Sequence, residues 1–211
     1  MKTIDLISLL AADAGPAPRV NPALSLAPAI AGGVFMAGLV SIALLGLVPA
    51  QMLAEPALWL KLAYAGAIAA GACWLAARLA RPLSHTRGPV TALVAVTAVT
   101  FLLGLGAFFA ATPGARLDAL LGSTWYRCPL IIPTVALPAL AALLWTLRGL
   151  APTRLRVAGL AAGLLAGALG AIGYALYCTE VSPAFVALWY SLGIFATGAL
   201  GALLGPYVLR W

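Results

Sequence analysis

The chain has 211 residues, of which 64% are hydrophobic and 8% are charged, and its mean hydropathy is +1.08. Soluble domains carry about 25% charged residues, so this composition excludes an ordinary water-soluble domain and predicts a membrane protein. Five acidic residues and one histidine argue against an enzyme, and the +7 net charge does not predict direct nucleic-acid binding, because the basic residues are scattered between apolar runs.

The first predicted element is a short helix within a cytoplasmic N-terminal tail that covers residues 1–26. Over residues 1–12 the apolar side chains fall on one face of a helix and the polar ones on the other: Leu6, Ile7 and Leu10 against Asp5 and Ser8. This spacing is typical of an amphipathic helix. An isolated helix of this length is marginal in water, so we expect it to fold against the membrane, the protein's own loops or a partner.

Six apolar stretches follow, each near the length of about 20 residues that crosses the hydrocarbon core of a bilayer. They make up a transmembrane domain over residues 27–211. The predicted spans are Ala27 to Val48, Leu58 to Leu79, Val90 to Ala111, Pro129 to Leu147, Val157 to Tyr177 and Ala184 to Leu204. The sequence therefore predicts an all-α polytopic membrane protein with six transmembrane helices.

The basic residues predict the orientation, because Lys and Arg are enriched in cytoplasmic loops. Nine of the twelve fall on the side that carries both termini. The other three are Lys61, Arg116 and Arg127. Lys61 lies just inside the second span, and we expect its side chain to extend to the membrane interface. Both termini are predicted to be cytoplasmic.

Aromatic residues mark the outer ends of several spans. A short surface helix is predicted after Pro113. Trp125 and Tyr126 follow this helix. Trp59 lies near the start of the second span, and Trp189 and Tyr190 lie near the start of the sixth. We interpret these five residues as anchors in the interfacial aromatic belt.

Two spans contain residues that shape helix packing. Gly159, Gly163, Gly167, Gly170 and Gly173 form a face of small residues on the fifth span, which permits close approach of another helix of this chain or of a second copy. Homo-oligomerisation therefore stays open. The fourth span carries two internal prolines, which predict a kink.

Two cysteines are the candidates for chemistry. Cys128 precedes the fourth span and Cys178 follows the fifth, so the topology places both at the outer, oxidising face. Three interpretations remain open: a static disulfide, a redox-switchable pair, and a dithiol that captures a transient soft heavy-metal ion, with Glu180 as an accessory ligand. No other cofactor is predicted. Cys73, inside the second span, is interpreted as a small buried hydrophobe.

Several polar motifs resemble the NrsF family of proteobacterial inner-membrane anti-sigma factors. They are Trp59-Leu60-Lys61-Leu62-Ala63-Tyr64, Trp125-Tyr126-Arg127-Cys128, Ala151-Pro152-Thr153-Arg154, Tyr177-Cys178-Thr179-Glu180 and Leu209-Arg210-Trp211. The resemblance implies sequestration of an extracytoplasmic-function (ECF) sigma factor at the inner membrane. It also implies that the periplasmic cysteines, here Cys128 and Cys178, respond to heavy-metal or oxidative stress.

Joining the residue patterns to this resemblance gives one hypothesis for the partner site. The tail residues Ile4, Leu6, Ile7 and Leu10, helped by the basic loops around Arg81 and Arg154, are predicted to bind the sigma factor. Two alternatives from other classes are a small multi-span transporter and a structural membrane protein with a fixed periplasmic disulfide. The transporter is disfavoured because the Asp, Glu and Arg residues lie in tails, loops or interfacial positions.

Overall fold

The computed structural model of the protein describes residues 3–13, 21–46, 55–81 and 84–210. Within these ranges the regular structure is helical, and no strand occurs. The helices are α1 (Thr3–Asp13), α2 (Pro22–Leu45), α3 (Pro56–Leu79), α4 (Arg87–Ala110), α5 (Arg116–Leu121), α6 (Cys128–Gly149), α7 (Leu155–Ala175) and α8 (Pro183–Val208). The predicted all-α fold is confirmed.

Six of these helices, α2, α3, α4, α6, α7 and α8, are long and apolar enough to cross a membrane, with mean hydropathies of 1.4 to 2.3 over their most apolar windows. Their bounds follow the predicted spans closely. The largest difference is at α2, which begins at Pro22 and not at Ala27. Asn21 explains this earlier start, because its side chain accepts a hydrogen bond from the Ala23 backbone at 3.2 Å and proline suits the first helical position.

The shorter predicted helices are also present. Helix α1 covers most of the predicted tail helix, and α5 follows a 3₁₀ turn at Pro113–Ala115. Ile4 and Ile7 are exposed on α1. The side chains of Leu6 and Leu10 lie outside the described residues, as do the predicted end of the first span at Val48 and two of the nine basic residues predicted to be cytoplasmic, Lys2 and Arg19.

Helix α7 is the centre of the bundle, and it contacts α8, α3, α6 and α2. Its glycines allow this. A methyl group on Gly159 would overlap the Gly201 carbonyl of α8, and one on Gly163 would overlap the Thr197 carbonyl of the same helix. The small-residue face of the fifth span is therefore used inside this chain, where it brings two helix backbones into direct contact.

Helix α4 lies at the edge of the bundle and is the least buried of the six. It packs against α3, α5 and the first turns of α8. Large apolar side chains on its other face are exposed, including Val94, Leu102 and Phe109. Such a face suits contact with lipid, because the hydrocarbon core is as apolar as these side chains.

Helix α8 contains a feature that the sequence did not predict: residues Val186–Tyr190 form a π-helical turn. Tyr190 closes this turn and is completely buried. Its ring packs against that of Tyr174, with the centroids 5.9 Å apart. The prediction of Tyr190 as an interfacial anchor is therefore wrong, whereas Trp59, Trp125 and Tyr126 are exposed as expected of a belt.

Candidate functional site

The two candidate cysteines lie at the same end of the bundle, which we call the thiol end. Cys128 is the first residue of α6, and its backbone donates to the Thr124 carbonyl at 3.2 Å. Cys178 lies just beyond α7, and its backbone donates to the Tyr174 carbonyl at 3.0 Å. Both side chains are buried and both thiols are free. Helix ends therefore hold both cysteine backbones in place.

The fold brings the two thiols together. Cys128 and Cys178 interact with each other through their side chains, although 50 residues separate them in the sequence. Two neighbouring thiols can be joined by two-electron oxidation, or can hold a soft cation between them. The contact supplies the geometry that either chemistry requires.

Two buried tyrosines complete the surroundings of the thiols. The hydroxyls of Tyr174 and Tyr190 have no conventional hydrogen-bond partner. The Tyr174 hydroxyl faces the Cys128 thiol and the Thr124 side chain, and the Tyr190 hydroxyl faces the Cys178 thiol. Sequence reasoning missed both tyrosines. Tyr174 was detectable, because it stands one helical turn before Cys178 and so shares its side of α7.

Lys61 is also part of this site, which corrects the prediction that it extends to the membrane interface. Only 2% of its surface is exposed, and its ammonium donates a hydrogen bond to the Cys178 carbonyl at 2.6 Å. Burial of a charge is costly unless it is hydrogen-bonded. Here the acceptor lies at the C-terminal end of α7, where the helix dipole favours a cation.

One turn further along α3, a second buried hydrogen bond ties this helix to α8. The hydroxyls of Tyr64 and Ser191 are 2.6 Å apart, and Ser191 follows the π-helical turn directly. Helix α3 therefore holds the connection after α7 through Lys61 and the start of α8 through Tyr64.

Glu180 joins the connection after α7 to the loop before α6. One of its carboxylate oxygens accepts hydrogen bonds from the Ser123 backbone at 2.8 Å, the Ser123 hydroxyl at 2.7 Å and the Thr124 hydroxyl at 3.1 Å. Gly122 has a φ of +56° and lies against the carboxylate, where a side chain would collide with it. We call these contacts the Glu180 clasp.

The clasp bears on the predicted accessory role of Glu180 toward a metal ion. The oxygen that forms the clasp already accepts three hydrogen bonds. Within the ranges that the structure describes, no group of three or more His, Cys, Asp or Glu side chains is arranged to hold a metal ion. A soft cation at this end would therefore rely chiefly on the two thiols.

A small cavity leads toward one of the two cysteines. Its polar lining comes from Glu55, Lys61, Cys178 and Glu180. The space that it encloses, about 10 Å³, is close to that of one water molecule. Cys128 does not line it. The cavity therefore distinguishes Cys178 from its neighbour.

The opposite end of the bundle, which we call the arginine end, is basic. Its described arginines are Arg78, Arg81, Arg87, Arg148, Arg154, Arg156 and Arg210. Arg81 and Arg154, both exposed, line one cavity of about 170 Å³ together with Ser84, Thr86 and Thr153. The structure therefore brings together the two arginines that were predicted to help bind a partner.

Comparison with known proteins agrees with the predicted family. A family model described as "Negative regulator of sigma F" (NrsF) matches residues 10–211. A protein of Azospira oryzae named "Probable anti-sigma-F factor NrsF" is 40% identical over 220 aligned positions, and the "Anti-sigma-F factor NrsF" of Caulobacter vibrioides is 38% identical over 221. Both alignments cover all of both chains. No solved structure matches. The chain therefore belongs to the NrsF family of negative regulators of sigma F.

Proposed function

We propose that this protein is an anti-sigma factor of the bacterial inner membrane, which binds an ECF sigma factor and releases it when Cys128 and Cys178 react. The observation that carries the proposal is the similarity to two anti-sigma-F factors over their whole lengths. Sequestration requires binding and no bond cleavage, so the protein acts as a regulator and not as an enzyme.

The charge distribution supports an orientation with both termini in the cytoplasm. The arginine end carries seven described arginines, whereas Arg116 and Arg127 are the described arginines at the thiol end. Cytoplasmic loops are enriched in such residues. In this orientation the thiol end faces the periplasm, and the arginine end faces the compartment that contains the sigma factor.

The arginine end and α1 together supply the proposed binding surface. The connections at this end contain no Asp or Glu, so the cavity at Arg81 and Arg154 suits an acidic segment of the partner. Ile4 and Ile7 are exposed on α1 and suit an apolar groove on it. Leu6 and Leu10 belong to the same proposed contact by their position in the sequence.

The thiol pair is the proposed trigger. Bridging the sulfurs, by a disulfide or by a soft heavy-metal ion, would draw the start of α6 toward the end of α7. Since α7 packs against four other helices, a shift of α7 would reach the loop that contains Arg154. Release then requires two discrete packings of the bundle, of which the bridged one binds the sigma factor less well.

Affinity purification of the full chain from its native membrane tests sequestration and trigger together. We expect a sigma factor to copurify from unstressed cells and to be lost after treatment with hydrogen peroxide or cadmium. In a Cys128→Ser/Cys178→Ser variant the sigma factor should stay bound under both treatments. Cys73→Ser is the matched control and should behave like the unaltered protein.

Each contrary outcome has a separate meaning. Purification of the membrane protein alone from unstressed cells would refute sequestration, and ion flux in proteoliposomes would then favour a transporter. Release that is unchanged in the double variant would remove the thiol trigger and leave sequestration standing. A pair that stays oxidised under all growth conditions would favour a fixed structural disulfide.

A further inference from the structure

The two thiols of the pair have different surroundings. Cys178 lines the small cavity at the thiol end, together with Lys61 and two carboxylates. Cys128 is completely buried and does not reach that cavity. A small reagent that enters from this end therefore meets Cys178 before Cys128.

Lys61 adds to the difference between the surroundings of Cys178 and those of Cys128. Among the charged side chains that the structure describes, only Lys61 is buried. Its ammonium is hydrogen-bonded to the backbone carbonyl of Cys178, at 2.6 Å, so it holds this residue directly. A positive charge fixed beside a thiol favours the thiolate, which is the nucleophilic form.

The other surroundings of Cys178 also act on the pKa of its thiol, and together they lower it although burial raises it. The side-chain hydrogen bond with Cys128 is the main cause of a lowered pKa of Cys178; burial raises this pKa, whereas the Lys61 charge, the Tyr190 hydroxyl and the backbone at Glu180 lower it. Glu55 and Glu180 line the same cavity, and Tyr174 packs on the Cys128 side.

We propose that Cys178 is the thiol that reacts first and Cys128 the thiol that completes the disulfide, with Lys61 as the residue that positions Cys178 and adds to its activation. This inference rests on the proposed thiol trigger and gives its two cysteines separate roles. Lys61 is a positioning residue, because it acts through Cys178, whose carbonyl accepts its hydrogen bond.

The reaction requires a two-electron oxidant such as a peroxide. The Cys178 thiolate attacks one peroxide oxygen, the O–O bond breaks, and the leaving hydroxide takes a proton to become water, which leaves Cys178 as a sulfenic acid. The Cys128 sulfur then attacks the Cys178 sulfur. The S–S bond forms, the S–O bond breaks, and the hydroxide leaves with the Cys128 thiol proton as a second water. In total, two thiols and one peroxide become one disulfide and two waters.

Sulfenic-acid trapping on single-thiol chains tests the assignment. Full-length protein with Cys73→Ser, in lipid nanodiscs, carries either Cys128→Ser or Cys178→Ser and is treated with hydrogen peroxide and dimedone. We expect Cys178 to be labelled at least about tenfold faster than Cys128, because the Lys61 charge lies beside Cys178 and favours its thiolate. Equal labelling, or faster labelling of Cys128, would overturn the assignment and leave the thiol trigger intact. Absence of labelling on both thiols would contradict the oxidative trigger as well.

The role of Lys61 is tested in the chain that retains Cys178. Lys61→Met should slow labelling near neutral pH by about tenfold and raise the pH of half-maximal labelling by about one unit, and Lys61→Arg should restore part of both. Tyr64→Phe is the matched control, because it removes a buried hydrogen bond one turn along the same helix without removing a charge. Tyr64→Phe should leave the pH dependence of Cys178 labelling unchanged. An unchanged profile in Lys61→Met, or an equal shift in Tyr64→Phe, would show that Lys61 is only structural.

Discussion

The thiol end and the arginine end of this bundle are built in opposite ways. At the thiol end the connecting segments are joined to one another and to the helices by specific hydrogen bonds, among them those of Lys61 and Glu180. At the arginine end the connections carry exposed cations and no carboxylate. The first arrangement confines the thiol pair to one geometry, whereas the second leaves its charges exposed to solvent.

The difference is also energetic. A buried, hydrogen-bonded ammonium contributes to packing, and removing its acceptor would leave an unpaired charge in the bundle. Exposed arginines in high dielectric contribute little to stability. We therefore expect substitutions at the arginine end to change binding of a partner without unfolding the protein. Substitutions at helix interfaces and in the hydrogen-bonded connections of the thiol end should change the stability of the fold.

The largest expected effect is the loss of the sigma factor when the arginine end is reversed in charge. Arg81→Glu/Arg154→Glu places two carboxylates where an acidic segment is proposed to bind, and like charges in contact cost several kcal/mol. We expect the affinity to fall by at least about a hundredfold. Titration of purified sigma factor against the protein in nanodiscs measures it.

Arg116→Glu/Arg127→Glu is the matched control, because it makes the same change in charge at the thiol end. The affinity of this variant for the sigma factor should equal that of the unaltered protein. Ile4→Ser/Ile7→Ser tests the tail contact separately. If only the tail variant weakens binding, α1 is the main contact; if neither variant does, the proposed surface is wrong.

A middle-sized effect is expected from Gly159→Ala, which adds a methyl group where α7 meets the Gly201 carbonyl. Overpacking of a filled interface costs about 1–3 kcal/mol, so the free energy of unfolding in mixed micelles should fall by that amount. Gly106→Ala is the control, since open space surrounds that position on α4. Equal stability of the two variants would contradict the close α7–α8 contact.

The smallest expected effect concerns the Glu180 clasp. Glu180→Gln keeps one acceptor oxygen but removes the charge that strengthens its hydrogen bonds, so we expect the unfolding free energy to fall by about 1 kcal/mol. Glu55→Gln, which changes another carboxylate lining the same cavity, should have no effect. A drop of the same size in both variants would mean that cavity charge, and not the clasp, stabilises this end.

Much of the site was already indicated by the sequence. Alternation of the spans predicted that Cys128 and Cys178 share one end and that Arg81 and Arg154 lie at the other. In both cases the prediction needs only the order of the spans along the chain. It does not need the rotation of any helix about its own axis.

Lys61 and Tyr190 show where this reasoning fails. Their positions near helix ends suggested an interfacial role, because long amphipathic side chains usually reach toward water there. In the structure both point into the bundle, Lys61 toward a carbonyl 117 residues away in sequence and Tyr190 toward Tyr174. Which way a helix-end residue points depends on the neighbouring helices, and local pattern does not contain them.

The six spans and their order were determined by the sequence itself, and so was the cap at Asn21 that starts α2 at Pro22. The cost of placing a residue in hydrocarbon and the capping of a helix both depend on windows of at most about 20 residues. Only the tertiary structure decided the π-helical turn, the carbonyl that accepts from Lys61 and the cavity that Cys178 lines and Cys128 does not. These depend on how six helices are rotated and packed together, and that is set by contacts between residues far apart in the chain.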